Sequence, residues 1–259
     1  MASQVFDFEG PRAYRLSGRL IAPETAPRGW AIFSHCFTCG KDSLAATRVT
    51  RALAAHGIGV LRFDFAGLGS SGGSFGDSNF AADVDDLVAA AQAMTAAGKP
   101  PSLLIGHSLG GAAALMAAGE LPEVRAIVTI GAPFDLAHVL RLFDPSGLER
   151  VETEGEAEVN LGGRPFVVRK SLVDGLRQHD LRARIAALQR PLLVMHAPGD
   201  DTVAIDNATH IFAAARHPKS FVSLDDADHL LTRQADADNV AGLITAWASR
   251  YLPAAGDAA

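Results

Sequence analysis

From Trp30 onward, short and continuously apolar runs alternate with longer alanine-rich segments, and this alternation restricts the fold more than any other feature of the chain. The apolar runs are WAIFSH from Trp30, IGVLRFDF from Ile58, SLLIGH from Ser102, AIVTIG from Ala126, PLLVMH from Pro191 and KSFVSL from Lys219. Each has strand length, whereas 43–56, 80–97, 109–120, 206–216 and 236–251 have helical length and composition. Strands without polar alternation are those covered by helices on both faces, as in a parallel sheet. Ahead of them stand VFDF from Val5 and a longer run over 14–21, where polar and apolar residues mix as at the edge of a sheet. The order predicts an α/β fold with about eight strands, mostly parallel after an antiparallel start, and helices on both faces.

The 259 residues suffice for one well-buried core, and 48% hydrophobic content excludes a disordered chain. A net charge of −6 with dispersed basic residues supplies no footprint for nucleic acid. No apolar stretch reaches the roughly 18 residues of a membrane span, and MASQVFDFEG carries two acids where a signal peptide has a basic end. A cytoplasmic protein with neither nucleic acid nor membrane as partner is expected. The two cysteines, Cys36 and Cys39, are too few for a disulfide framework.

One segment interrupts the rhythm. The stretch between the strands at Ala126 and Pro191 far exceeds the dozen or so residues that a parallel crossover needs. We therefore expect a core of 1–132 and 191–252, an inserted cap over 133–190 and a frayed tail over 253–259. Within the cap, two strand-like runs flank Gly162-Gly163 as in a β-hairpin, between short helices over 136–143 and 172–188. Phe134, Leu140, Phe143 and Phe166 are its candidate lining for a substrate pocket.

The pattern G-x-S-x-G occurs at 69–73, 72–76 and 106–110. Only the third runs from an apolar strand directly into an alanine-rich helix, the context in which glycines make room for a nucleophile on a sharp turn. Ser108 is thus the candidate nucleophile, with its hydroxyl at a helix N-terminus where developing negative charge is favoured. A serine needs a base, and the base needs a carboxylate to orient it. Of the nine histidines, His35, His107 and His196 end strands, while His229 follows the last strand on a loop before the C-terminal helix. His229 is the candidate base. The turn after the Pro191 strand offers Asp200 and Asp201 as its partner, with Asp135 a less favourable third; Asp225, Asp226 and Asp228 read as a solvated turn.

Taken in order, the H-C-F-T-C-G-K-D loop from His35, the D-F-A-G-L-G-S-S-G loop from Asp64, the elbow at Ser108 and the acid and histidine resemble the α/β-hydrolase superfamily over nearly the whole chain. More narrowly, the chain is similar to the hydrolase half of bacterial fusions with an OsmC-like domain, and to small feruloyl and cinnamoyl esterases carrying an inserted hairpin. The resemblance implies the order Ser108, Asp200, His229, with Asp200 preferred because it stands three residues before Val203. It also implies an oxyanion hole formed by the backbone N–H groups of Phe37 and Leu109. The implied activity is a serine carboxylic-ester hydrolase working through an acyl-enzyme, with small-molecule esters as substrates and neither cofactor nor metal. Thioester or peptide hydrolysis on the same triad is the alternative. A non-catalytic or redox partner module for an OsmC-like domain, suggested by the C-x-x-C spacing, is a reading of another class. Cys36 and Cys39 are expected as structural residues lining their loop, and a homo-oligomer and a longer parent chain are left open.

Overall fold

In the computed structural model, residues 2–161 and 163–252 are described; the expected tail at 253–259 and Gly162 of the hairpin turn lie outside them. The amino-terminal strands are β1 (Ala2–Val5), β2 (Phe8–Glu9), β3 (Arg15–Leu16) and β4 (Gly18–Ala22). They are followed by β5 (Gly29–Ser34), β6 (Ile58–Phe63), β7 (Pro101–His107) and β8 (Ala126–Ile130). A hairpin of β9 (Glu156–Leu161) and β10 (Arg164–Arg169) precedes β11 (Leu192–His196) and β12 (Lys219–Ser223). Helices are α1 (Leu44–Ala55), α2 (Phe80–Ala96), α3 (Leu109–Ala117), α4 (Pro145–Glu154), α5 (Lys170–Gln178), α6 (Leu181–Ala186), α7 (Asp206–Ala214) and α8 (Gln234–Ala248).

Eight strands form one sheet in the order β1-β4-β6-β5-β7-β8-β11-β12. β1 and β4 pair antiparallel, β4 pairs antiparallel with β6, and every later pairing is parallel. The α/β class and the antiparallel start are as expected. Strands β6, β7, β8 and β11 are buried throughout because each face of the sheet is covered there, whereas β12 at the edge is only partly buried and leaves Phe221 exposed. Val49 and Leu53 of α1 and Val240 and Ile244 of α8 fill one side, and Leu87 of α2, Leu115 of α3 and Ile211 of α7 fill the other.

The amino-terminal reading needs two corrections. The strand expected from Val5 ends there: Ala2–Val5 joins the sheet, and Phe8–Glu9 pairs instead with β3 in a separate ribbon. Between them the Asp7 carboxylate accepts the Gly18 N–H at 3.0 Å, which turns the chain. The single run expected over 14–21 is split at Ser17, whose N–H donates to Ser71 Oγ at 2.8 Å rather than to a strand. As a result β4 is not the edge of the sheet, and β1 covers it.

Between β8 and β11 the chain forms a 3₁₀ helix (Leu136–Leu142), α4, the β9–β10 hairpin, α5 and α6. Leu161 pairs with Arg164, and Gly163 takes φ +83° in the turn. Val159, Leu161 and Val168 on one hairpin face are buried in the same apolar cluster as α2 and α3. Two helical boundaries differ from expectation. The run over 172–188 divides into α5 and α6, because Asp180 caps the Arg182 N–H at 2.8 Å and starts a new helix. Helix α4 is additional to the two expected, although its signals stand in the chain. Asp144 accepts the Gly147 N–H, Pro145 occupies the first turn, and Gly155 ends the helix at φ +86°.

Candidate active site

The elbow is built by close backbone approach. A Cβ on Gly106 would lie 2.2 Å from Gly110 O, and one on Gly110 would lie 2.4 Å from Ser34 O, so both positions admit only glycine. Between them Ser108 takes φ 54°, ψ −127°, a region that non-glycine residues rarely occupy. It is held there by its N–H donating to Ile130 O at 2.8 Å and by its carbonyl accepting the Gly111 N–H at 2.8 Å. The other two G-x-S-x-G matches have structural roles. Ser71 Oγ donates to Asp64 O, and Ser74 precedes a short 3₁₀ turn at Phe75–Asp77.

Three parallel strands deliver three side chains to one point. Ser108 follows β7, Asp200 follows β11 and His229 follows β12, each 8% exposed. In the tautomer that satisfies both contacts, His229 Nδ1–H donates to Asp200 Oδ2 at 2.7 Å, and Nε2 accepts from Ser108 Oγ at 3.1 Å. The second Asp200 oxygen accepts the N–H groups of Thr202 at 2.9 Å and Val203 at 2.8 Å. Burial pushes the Asp200 carboxyl up, but the hydrogen bond and charge of His229 and these two N–H donors outweigh it and hold it below the usual carboxylate range. Asp201 is exposed and takes no part in this chain of contacts. Asp135 caps the 3₁₀ helix through the Ala137 N–H, and Asp225, Asp226 and Asp228 are exposed.

The strand-end histidines pack beneath this line. His107 is 1% exposed and donates from Nε2 to the carbonyl of His229 at 2.7 Å. Burial first, and then the neighbouring His229, push the His107 imidazole down to about 3, so it remains a neutral donor at ordinary pH. His196 likewise donates to Val203 O at 2.7 Å and braces the turn that carries Asp200. Replacing His107 with Phe leaves the His229 carbonyl buried without this donor. The expected result is a fall in kcat of roughly tenfold at near-constant KM, with about 1–3 kcal/mol lost from stability; steady-state kinetics and urea unfolding measure both.

Leu109 opens α3, so its N–H belongs to the helix terminus that lacks an intrahelical acceptor. Phe37 lies on the loop after β5 and shares a small cavity with Leu109, Phe75, Ser78 and Asp83. That loop is tied down at Lys41, whose backbone N–H and Nζ both reach the Asp64 carboxylate at 2.6 Å. Cys36 and Cys39, expected as structural residues lining this loop, are joined in a disulfide. Among the described residues no group of three or more His, Cys, Asp or Glu could hold a metal ion.

The aromatic residues are divided between two places. Phe143 stacks on Phe37 at 6.2 Å with an 18° interplanar angle, Phe75 lies 5.7 Å from Phe37, and Phe166 lies 4.7 Å from Phe75. Of the predicted lining residues, Phe143 therefore packs on Phe37 and Phe166 reaches it through Phe75, which sequence reasoning missed because nothing local marks a partner so distant in the chain. Leu140 packs against the same apolar cluster. Phe134 is engaged elsewhere: its N–H donates to Asn207 Oδ1, its ring lies 5.4 Å from His210 and the Arg182 guanidinium sits over it.

Asp83 is the unexpected ionisable group at this cavity. Burial, followed by the charge of Asp86, pushes its carboxyl up to about 8. The raised value means that the fold favours the protonated acid. Between the unfolded value near 4 and the folded value the native state holds the extra proton, so stability falls as pH rises through that window. Asp83→Asn is expected to gain melting temperature over the parent progressively from about pH 4 to about pH 9, then level off; scanning calorimetry across pH tests this.

A model of the Alpha/beta hydrolase family matches residues 29–243. The chain belongs to that family. Among solved structures of α/β hydrolases, the esterase domain of a Rhodothermus marinus protein is 48% identical and superposes with a TM-score of 0.79, over 96% of this chain and 99% of that one. Est1E from Butyrivibrio proteoclasticus, solved with ferulic acid, is 19% identical with a TM-score of 0.75, over 95% and 97% of the two chains. A Xanthomonas campestris α/β serine hydrolase described as lacking a lid is 21% identical with a TM-score of 0.68, over 98% and 97%. The last two share the α/β-hydrolase fold. No curated protein sequence matches the chain. Among the described residues no helix is long and apolar enough to cross a membrane.

Proposed function

We propose that this α/β hydrolase is a serine carboxylesterase. The observation that carries the reading is the continuous line from Asp200 through His229 to Ser108, at 2.7 Å and 3.1 Å, ending on a hydroxyl held at φ 54°. The 48% identity to an esterase domain supports it. Ser108 Oγ attacks the ester carbonyl as its proton passes to His229 Nε2. Asp200 stabilises the imidazolium, and the Phe37 and Leu109 N–H groups receive the oxyanion. As the intermediate collapses, His229 gives its proton to the leaving alcohol and the acyl group stays on Ser108. Water, deprotonated by His229, then attacks this acyl-serine, and its breakdown returns the proton to Ser108 Oγ.

In this reading the segment 133–190 acts as a lid, with Phe143 and Phe166 joining Phe37 and Phe75 as an apolar wall beside the oxyanion donors. Such a wall suits aryl or short acyl groups. The test is hydrolysis of p-nitrophenyl esters from acetate to long acyl chains, with methyl ferulate, an acyl thioester and a peptide alongside, together with labelling by a fluorophosphonate. Labelling with preferential turnover of oxygen esters is the expected result. No labelling would sink the serine-hydrolase reading, and labelling with turnover of thioesters or peptides alone would replace the ester by that substrate class.

A further inference from the structure

The disulfide encloses the segment that the esterase reading uses as an oxyanion donor. Cys36 and Cys39 close a ring over Phe37 and Thr38, with Cα atoms 5.3 Å apart and the Cys39 N–H donating to Cys36 O at 3.1 Å. Inside the ring Thr38 takes φ 56°, a left-handed conformation that a β-branched residue adopts only under constraint. The Thr38 carbonyl also accepts from the Arg164 guanidinium at the tip of the β9–β10 hairpin. The two cysteines differ in surroundings. Cys36 is 6% exposed, while Cys39 lines an open groove of about 510 Å³ with Thr38, Lys41, Ser70 and Arg164.

We propose that Cys36–Cys39 is a thiol–disulfide exchange site for low-molecular-mass dithiols, and that its oxidation state sets the esterase activity by holding or releasing the Phe37 N–H. The proposal rests on the esterase reading above. A dithiol enters by the groove, and one of its thiolates bonds to Cys39 Sγ. The Cys36–Cys39 bond breaks with its electron pair leaving on Cys36 Sγ, which takes up a proton. The second thiolate of the reagent then displaces Cys39, giving two protein thiols and one cyclic disulfide of the reagent. Once the ring is open, nothing covalent keeps Thr38 left-handed. Rotation about its backbone re-aims the Phe37–Thr38 turn, and the oxyanion site loses a preorganised donor.

The experiment compares native protein before and after millimolar dithiothreitol, with alkylation by iodoacetamide and intact mass to count thiols. Hydrolysis of p-nitrophenyl acetate, far-UV circular dichroism and fluorophosphonate labelling are recorded on the same samples. Removing one oxyanion donor commonly costs about 100-fold or more in kcat. Reduction is expected to add two alkyl groups and lower kcat at least about tenfold with KM little changed and the dichroism intact, and oxidised glutathione is expected to restore the rate. Cys36→Ser/Cys39→Ser is expected to sit at the reduced rate and ignore the reagent; if it does not fold, the chemically reduced parent decides. Resistance of the native disulfide to dithiothreitol, equal rates in both states, or loss of activity only with loss of fold would each overturn the proposal. Equal rates in both states with labelling retained leave the esterase reading standing, whereas an oxidised protein that neither labels nor turns over removes both.

Discussion

Ser108→Ala is expected to lower kcat for an activated ester by roughly 10⁵-fold or more, with KM changed far less. The loss is large because the residue is the bond-forming atom in the proposed mechanism, and nothing adjacent can replace it. His229 has only Asp200 on its other side, and Ser71 and Ser74 of the two decoy motifs belong to the loop that follows β6. A residual rate above that of water is expected from the N–H donors and from substrate binding alone. The fold should survive, since the hydrogen bonds that hold the elbow, from Ser108 N to Ile130 O and from Gly111 N to Ser108 O, are made by backbone. Stopped assays with mass detection of an acyl-serine on the parent, and its absence on the variant, separate a lost nucleophile from a lost pocket.

Asp200→Asn should cost about 10³–10⁴-fold in kcat, and Asp201→Asn less than about twofold. The neighbours differ in position rather than chemistry. Asp200 accepts from His229 and from two backbone N–H groups, whereas Asp201 points to solvent. An amide at 200 can offer N–H to His229 and favour the tautomer with its proton on Nε2, which cannot accept from Ser108. The lowered carboxyl of Asp200 also ties fold to pH. Its contribution to stability is present in full above the ordinary aspartate range and is lost as pH falls through the depressed folded value. Equal losses in the two variants would remove Asp200 from its assigned place.

The parallel sheet was legible because strands covered on both faces have little room for polar residues, and β5 to β8 and β11 therefore read as mainly apolar runs, while the edge strand β12 keeps Lys219, Ser220 and Ser223 and is only partly buried. The elbow was legible for the same kind of reason, since a Cβ on either of its two glycines would collide with a backbone oxygen, at 2.2 Å for Gly106 and 2.4 Å for Gly110. What could not be read was whatever depends on a partner far along the chain. Ser17 leaves the strand pattern because of Ser71, and Phe37 finds Phe143 and Phe75 only after folding. The choice between Asp200 and Asp201 turned on one valine and a family habit, because adjacent carboxylates on a turn carry no periodicity. Helix α4 is different: Asp144, Pro145 and Gly155 announced it, and its polar face masked it. The pairing of Cys36 with Cys39 had a spacing but no local feature that distinguishes two thiols from one bridge.

The three side chains at the site follow three strands of the parallel sheet, β7, β11 and β12, and His229 stands 121 positions after Ser108 in the chain. β12, at the far edge of the sheet, delivers the last of them. Helical signal can therefore return early in renaturation, since α1, α2 and α3 all precede the final strand, while turnover must wait for the slow closure of long-range pairings. The proposed esterase activity is consequently expected to be a late reporter of renaturation, separating molecules whose carboxyl-terminal edge has docked from those that already look native by circular dichroism.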